Sequence, residues 1–211
     1  MLKGLNFLIS ITLIIIVIFS PLFLLMNNIF LTQEFYKQSI QKSSKMTKNE
    51  YLFYADQIIK YFFNNQGNVV IKDENGHNIN DFFTEEETLH MIDVKRIIRF
   101  VFILLIISLV TLFALFKKIK FKIVSNALIL SFVALSIIGT ILYFNFDRSF
   151  YIFHKIFFRN QYWLLPENDM LIRMFPENFF YDYAITWFVI SCFPGFILIL
   201  FKRFGHLKSS S

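Results

Sequence analysis

The sequence is short of charge and almost without cysteine. Only 17% of its 211 residues are Asp, Glu, Lys or Arg, whereas a soluble domain carries about 25%. These charges are bunched between long apolar runs, which is typical of a membrane protein because helix surfaces that face lipid cannot carry ions. The single cysteine, Cys192, excludes an intramolecular disulfide. Its place inside an apolar run favours the role of a small hydrophobic side chain.

Well-known catalytic signatures are also missing. The chain has no His-Glu-x-x-His pair, no Gly-x-Ser-x-Gly elbow and no glycine-rich phosphate loop. The middles of its long apolar runs contain no Asp, Glu, Lys, Arg or His, although ion pathways and proton relays need such residues at depth. These absences argue against a transporter or pump. The lack of an evident activated Ser or Cys argues against an acyl-enzyme.

Four segments reach the length of about 20 apolar residues that crosses a bilayer. We predict transmembrane helices within residues 1–31, 97–116, 123–144 and 183–203. The first apolar run exceeds the length of a signal-peptide core, and no small-residue cleavage site follows it, so we expect it to be retained. Pro194 and Gly195 predict a kink in the fourth helix.

Short basic segments set the expected orientation. Four lysines crowd residues 117–122, and Lys202, Arg203 and Lys208 lie at or just after the end of the fourth span. The positive-inside rule places these segments and both termini in the cytoplasm. Residues 32–96 and 145–182 then lie together on the outer face. The tail at 204–211 ends in three serines that resemble a cloning remnant, and we draw no function from it.

The first outer segment combines helix and strand patterns. Residues 33–63 have helical apolar spacing and predict an amphipathic helix. Residues 69–71 predict a short strand, followed by a turn at 73–76. Thr84 and Glu87 form a capping box, which predicts a helix that begins near Thr84 and continues into the second span. The expected fold is a mainly α membrane protein with four transmembrane helices and a small extracytoplasmic α/β cap.

Two histidines lie next to the expected outer face. His90 precedes the second span, and Asp93 follows it at a spacing that allows contact on a helix. His154 follows the third span among aromatic side chains that suit the headgroup layer. Imidazole takes up and returns protons near neutral pH, so this pair favours a reactive site. Only His90 and Asp93 show metal-ligand spacing, so we expect no metal.

Two motifs around these histidines resemble those of the bacterial lipoprotein intramolecular transacylase family. The first motif is Phe83-Thr84-x-Glu86 with His90-Met91-x-Asp93-Val94-Lys95. The second consists of Phe153-His154-x-x-Phe157-Phe158, Asn160, Trp163, Pro166, Asp169 and Phe175-Pro176-Glu177-x-Phe179-Phe180. The layout of four spans with an outer cap is similar too, whereas residues 32–82 match least.

The resemblance implies an acyltransferase of the bacterial cell membrane with its active site at the outer face. Such enzymes move the sn-2 acyl chain of a diacylglyceryl-cysteine lipoprotein to that cysteine's own α-amine, an O-to-N transfer that leaves the lyso-form lipoprotein. His90 and His154 would be the catalytic histidines, with the roles of base and acid left open. The supporting candidates, for substrate binding or orientation, are Asp93, Arg96, Phe157, Phe158, Asn160, Tyr162, Trp163 and Asp169.

The expected partners are the diacylglyceryl lipoprotein and membrane lipids. We expect no cofactor and no nucleic acid, and a monomer is favoured. The sequence alone is compatible with two other functional hypotheses. One is a non-catalytic membrane protein whose outer cap binds a partner, and the other is a membrane lipid esterase whose histidines act on water.

Overall fold

The structure is a computed structural model that describes the backbone of residues 2–209 and the side chains of residues 3–201. The side chains of the predicted tail at 204–211 lie outside this range. The chain divides into two units. One comprises Met1–Leu25, Val101–Phe146 and Ala184–Ser211, and the other comprises Met26–Phe100 and Asp147–Tyr183.

Four helices are long and apolar enough to cross a membrane, and they make the chain a multi-pass membrane protein. They are α1 over Leu2–Leu24, α5 over Glu85–Ala114, α6 over Phe121–Phe144 and α9 over Glu177–Ser209. The charged residues of α5 lie between Glu85 and Arg99, and its uninterrupted apolar stretch follows Arg99. Apolar side chains such as Phe113 and Ile137 are exposed on these helices, as a lipid environment requires.

The first unit contains the four membrane-spanning stretches, and small or polar groups bring its helices together. The indole nitrogen of Trp187 on α9 donates to the carbonyl oxygen of Ile18 on α1 at 2.7 Å. A Cβ atom on Gly195 would lie 2.8 Å from the carbonyl oxygen of Leu128. Glycine at this position therefore lets α9 approach the backbone of α6, which is how small residues act in membrane helix packing. Pro194 lies inside α9.

The second unit is built from short helices and the charged start of α5. These are α2 over Asn28–Lys37, α3 over Ile40–Ser44, α4 over Lys48–Phe63, α7 over Phe146–Phe157 and α8 over Met170–Met174. Helix α1 ends before the predicted limit at residue 31, because the Asn27 side chain accepts hydrogen bonds from the amides of Ile29 and Phe30 and so caps a new helix. The amphipathic region at 33–63 is likewise divided, since Ser39 and Lys45 have positive φ angles.

The predicted α/β cap is wrong. Within residues 2–209 no strand forms, and residues 69–79 contain only an isolated antiparallel bridge between Lys72 and Asn78. The predicted turn is present, with Gly76 at a φ of 83°. The amide side chain of Gln57 on α4 bonds both the N–H and the C=O of Lys72 at 2.9 Å. Those are the two groups that a further strand would pair with, and a hairpin this short is not a stable sheet by itself.

The predicted capping box at the start of α5 is confirmed. The Thr84 amide donates to a carboxylate oxygen of Glu87 at 2.6 Å, and the Glu87 amide donates to the Thr84 hydroxyl at 3.2 Å. The other carboxylate oxygen of Glu87 accepts from the amide of Leu171 at 2.6 Å. Glu87 is only 1% exposed, so it is a buried tether between the start of α5 and the start of α8.

Candidate active site

The two histidines singled out by the sequence lie side by side in the second unit. His90 is in the second turn of α5, and His154 is in the last turn of α7. Their ring centroids are 5.9 Å apart, with an angle of 32° between the ring planes. His90 is 7% exposed and His154 is 8% exposed. Two helices that are distant in sequence, α5 and α7, therefore bring two imidazoles together in the interior of the second unit.

The orientation of His154 is set by the backbone of its own helix. Residues 150, 154 and 158 are four positions apart, so they lie along one face of the chain around α7. The Nδ1 atom of His154 lies 2.7 Å from the carbonyl oxygen of Phe150. A carbonyl oxygen only accepts hydrogen bonds, so Nδ1 carries a proton. In the neutral ring, Nε2 then holds the lone pair that can accept a proton.

His90 has no such anchor. Its Nδ1 atom is buried and has no hydrogen-bond partner among the described residues. The ring of Phe158 packs against it, with ring centroids 5.0 Å apart. A buried polar atom without a hydrogen bond costs free energy. A hydrogen bond from this ring nitrogen to a bound reacting group would remove that cost.

Burial controls the protonation of both rings. His90 precedes the apolar stretch of α5, and His154 lies on α7, outside the membrane-spanning helices. Burial lowers the pKa of His154, and the Phe150 carbonyl opposes that change because it stabilises the protonated ring. Burial also lowers the pKa of His90, and the neighbouring His154 lowers it further, while the charge of Asp93 acts in the opposite direction. Both imidazoles are therefore neutral at neutral pH, the form in which one can act as a base.

The aromatic candidates fall into two groups. Phe158 contacts both histidine rings, with its centroid 5.4 Å from that of His154. Trp163 lies over His154 with centroids 5.0 Å apart and ring planes at 32°. Phe157 instead packs on Phe153 and is 53% exposed. Tyr162 is also exposed. The structure therefore brings Phe158 and Trp163 to the histidines and places the other two at the surface.

The polar candidates form a cluster beside the histidines. The Asp93 carboxylate accepts from the side-chain amide of Asn160 at 2.7 Å and from the guanidinium of Arg96 at 2.6 Å. Arg96 itself is exposed. The indole nitrogen of Trp163 donates to the carbonyl oxygen of Asn160 at 3.0 Å. Asp93 is thus connected to His154 through Asn160 and Trp163, and its direct effect on His90 is electrostatic.

Asp169 lies at the N-cap of α8, where its amide donates to the Pro166 carbonyl and its own carbonyl accepts from the Arg173 amide. Its backbone shapes the loop that precedes α8.

Two contributors to the site were not identified from the sequence. The carbonyl of Phe150 holds His154, but a backbone atom leaves no residue-type signal. Glu87 was identified only as a capping residue, although its second oxygen also tethers Leu171. That partner is too distant in sequence for local spacing to indicate it.

The arrangement suits proton transfer without a protein nucleophile. One neutral imidazole offers a proton acceptor, and the other is buried next to it among aromatic rings. Among residues 3–201 no group of three or more His, Cys, Asp and Glu could hold a metal ion. Paired imidazoles that are buried among aromatic side chains can perform acid–base catalysis.

Comparison with known proteins points to one family. The model of the family described as lipoprotein intramolecular transacylase Lit matches residues 6–180. An uncharacterized protein of Aquifex aeolicus (strain VF5) is 29% identical over 157 residues, which cover 74% of this chain and 72% of that protein.

Solved structures of the membrane integral lipoprotein intramolecular transacylase Lit from Bacillus cereus share the fold. One is 22% identical with a TM-score of 0.76 and covers 100% of this chain and 99% of that chain. A variant of the same protein with a histidine replaced by arginine is 20% identical with a TM-score of 0.74, over 100% of this chain and 94% of that chain.

Proposed function

Because the chain belongs to the family of lipoprotein intramolecular transacylases called Lit, we propose that it transfers an acyl chain within a single diacylglyceryl lipoprotein. The chain leaves the sn-2 oxygen of the glyceryl group and joins the α-amine of the N-terminal cysteine. The product is an N-acyl, S-monoacylglyceryl lipoprotein. The observation that carries this proposal is the buried pair of His90 and His154, whose ring centroids lie 5.9 Å apart.

His154 is the base in this reaction. Its Nδ1–H is committed to the Phe150 carbonyl, so Nε2 of the neutral ring accepts the proton. An α-amine has a pKa of about 7.7–8.0 and must be neutral to attack the ester carbonyl. The nitrogen becomes positively charged as it attacks, and Nε2 of His154 removes its proton. The Phe150 carbonyl then stabilises the imidazolium that results.

His90 stabilises the oxyanion. Its pKa is lowered by burial and by His154, so its ring stays neutral and donates one N–H without giving up the proton. A neutral imidazole can polarise a carbonyl in this way. As the tetrahedral intermediate collapses, His154 returns its proton to the leaving glyceryl oxygen. A C–N bond forms, a C–O bond breaks, and one proton moves from nitrogen to oxygen.

The apolar surroundings favour transfer over hydrolysis. Phe158 and Trp163 pack on the imidazoles and restrict access of water to them, and a competing water would cleave the ester instead. Amine and ester belong to one molecule, so the protein's task is to hold them in a reactive geometry. Such orientation contributes up to about 7–11 kcal/mol to a reaction barrier.

The proposed site faces the outside of the cell. Residues 117–122 and the C-terminal end of α9 carry clustered basic residues, which the positive-inside rule places in the cytoplasm together with both termini. A reporter fused after Lys118 is expected to be cytoplasmic, and one inserted at 64–68 extracytoplasmic. The opposite pattern would place the histidines on the wrong side for a lipoprotein substrate.

The function is tested on one lipoprotein, in cells that lack other N-acylating activity, with and without this protein. Intact and fragment mass spectrometry should show the same total mass with one acyl chain moved from the glyceryl group to the amine. Loss of one acyl mass would indicate an esterase. An unchanged lipoprotein would indicate a binding module. Either result would contradict the proposed transfer.

A further inference from the structure

We propose that Asp93 and Asn160 form a positioning pair that holds Trp163 against His154. The pair lies outside the acid–base steps assigned above, and neither residue is a catalytic residue in this scheme. The inference rests on the proposed function only for its activity readout, because the position of Trp163 can be measured independently. The contacts that support it lie within the second unit.

The first link joins α5 to the segment after α7. The side-chain amide of Asn160 donates to the Asp93 carboxylate at 2.7 Å. The Asp93 side chain is largely buried, and a hydrogen bond to a charged group is stronger there than at a surface. The remaining partner, Arg96, is exposed, and an exposed ion pair contributes little. Asn160 is therefore the partner that gives the Asp93 carboxylate a structural role.

The second link passes from Asn160 to Trp163. The side-chain oxygen of Asn160 accepts from the amide of Tyr162 at 3.1 Å, and its backbone carbonyl accepts from the indole nitrogen of Trp163 at 3.0 Å. Both bonds fold the chain back on itself directly after Asn160. The indole ring thereby has a fixed orientation relative to the Asn160 backbone, and that backbone is anchored by Asp93.

The third link is the contact of Trp163 with His154. The two rings are 5.0 Å apart at an angle of 32°. The Phe150 ring lies 4.4 Å from that of His154, and its carbonyl fixes Nδ1. Trp163 therefore completes the packing that holds the imidazole in one rotamer and limits the access of water to it. Displacing Trp163 would loosen the base without removing any reacting atom.

The placement of Asp93 relates it to both histidines. It lies on the same helix as His90, one turn further along, while Asn160 follows the helix that carries His154. The pair thus connects the supports of both histidines. The Glu87 tether joins α5 to α8 independently through Leu171, so the fold has a second connection that survives loss of the pair.

An exchange of the two side chains provides the sharpest test. Asp93→Asn replaces the charged acceptor with a neutral amide oxygen, which weakens the hydrogen bond from Asn160, and Asn160→Asp places two carboxylates together. The double variant Asp93→Asn/Asn160→Asp restores a hydrogen bond between an amide and a carboxylate, and each exchanged side chain keeps an oxygen for Arg96 or for the Tyr162 amide. We expect Asn160→Asp to lower transacylation about 10- to 100-fold, the range of one charged hydrogen bond. Asp93→Asn should lower it up to about tenfold, because a weaker neutral hydrogen bond remains. The double variant should recover to within about threefold of the unchanged protein.

Trp163 emission provides a readout that does not depend on activity. The chain has two tryptophans, so a Trp187→Phe background leaves Trp163 as the only indole. Protonated imidazole quenches indole emission, so we expect Trp163 emission to fall as the pH is lowered. This fall in emission should be absent in His154→Asn. In the single variants, Trp163 emission should shift to longer wavelength, and its fall on acidification should be smaller. The exchanged pair should restore both.

Asp56→Asn is the matched control, because Asp56 forms an exposed ion pair with Lys60 on α4. It should leave emission and activity unchanged. Unaltered Trp163 emission in both single variants would overturn the inference, and so would failure of the exchanged pair to restore it. If the unchanged protein forms no N-acyl product, the proposed function fails, while the emission data still decide whether Asp93 and Asn160 hold Trp163.

Discussion

The Nδ1 atom of His154 lies 2.7 Å from the carbonyl oxygen of Phe150, one helical turn earlier on α7. This contact determines which nitrogen of the ring can act as a base, because the carbonyl can bond only a protonated Nδ1. The companion ring of His90 has no equivalent contact for its Nδ1 among the described residues. The two histidines therefore differ in their surroundings, and the differences lead to separate predictions for each.

Replacing His154 with asparagine tests the role of Nε2. The asparagine amide can still donate to the Phe150 carbonyl from near the Nδ1 position, but it has no group that accepts a proton. We expect product formation to fall about 10²- to 10⁴-fold, the usual contribution of a general base, while the amount of folded protein is unchanged. Mass spectrometry of a lipopeptide product measures the activity. Substantial activity in a folded His154→Asn protein would contradict the assignment.

Replacing His90 tests the role of an N–H donor. Asparagine at this position retains an amide donor near Nδ1, whereas alanine has none. If His90 stabilises the oxyanion, His90→Ala should lose about 10²- to 10³-fold in kcat, and His90→Asn should retain clearly more activity than His90→Ala. Equal activity of the two variants would show that the ring contributes something other than a donor.

The low pKa values of the buried histidines make stability depend on pH. Their pKa values lie below the ordinary value in the folded protein, and in the unfolded chain they return to about 6.5. The unfolded chain therefore binds more protons between these values, and stability falls as pH drops below about 6.5. Thermal unfolding in detergent should show this loss, and His154→Asn should reduce it. An equal loss in the variant would exclude His154 as a contributor.

The buried tether at Glu87 predicts a stability effect. Both of its oxygens accept backbone amides, from Thr84 and from Leu171. Glu87→Gln turns one acceptor into a donor that faces an N–H group, which should destabilise the protein by about 1–3 kcal/mol. The exposed neighbour Glu85 is the control, and Glu85→Gln should change stability by less than about 0.5 kcal/mol. Similar unfolding temperatures for both variants would contradict this role of Glu87.

Much of the helical layout could be predicted because its signals are local. Apolar length gave the four membrane-spanning helices, and the spacing of Thr84 and Glu87 gave the start of α5. The same kind of signal was present at Thr47 and Glu50, where a capping box begins α4. The two histidines could be expected on one face because membrane topology relates segments that are far apart in sequence.

The remaining features depend on contacts that local patterns do not encode. The strand predicted at 69–71 does not become part of a sheet, because the hairpin is short and Gln57 on α4 bonds the backbone groups of Lys72 that a further strand would pair with. Asp93 was expected to orient His90, and its bonds to Asn160 and Arg96 became visible only in three dimensions. The residue types at these positions are as compatible with ordinary surface pairs as with the observed cluster.

A crossover experiment tests the central claim of transfer within one lipoprotein most directly. Purified protein is mixed with two diacylglyceryl lipopeptides that differ in both peptide sequence and isotopic labelling of the sn-2 acyl chain. Mass spectrometry of the N-acylated products reads which chain joined which peptide. The account predicts that each peptide carries only its own label on nitrogen. Labels exchanged between the two peptides would contradict intramolecular transfer.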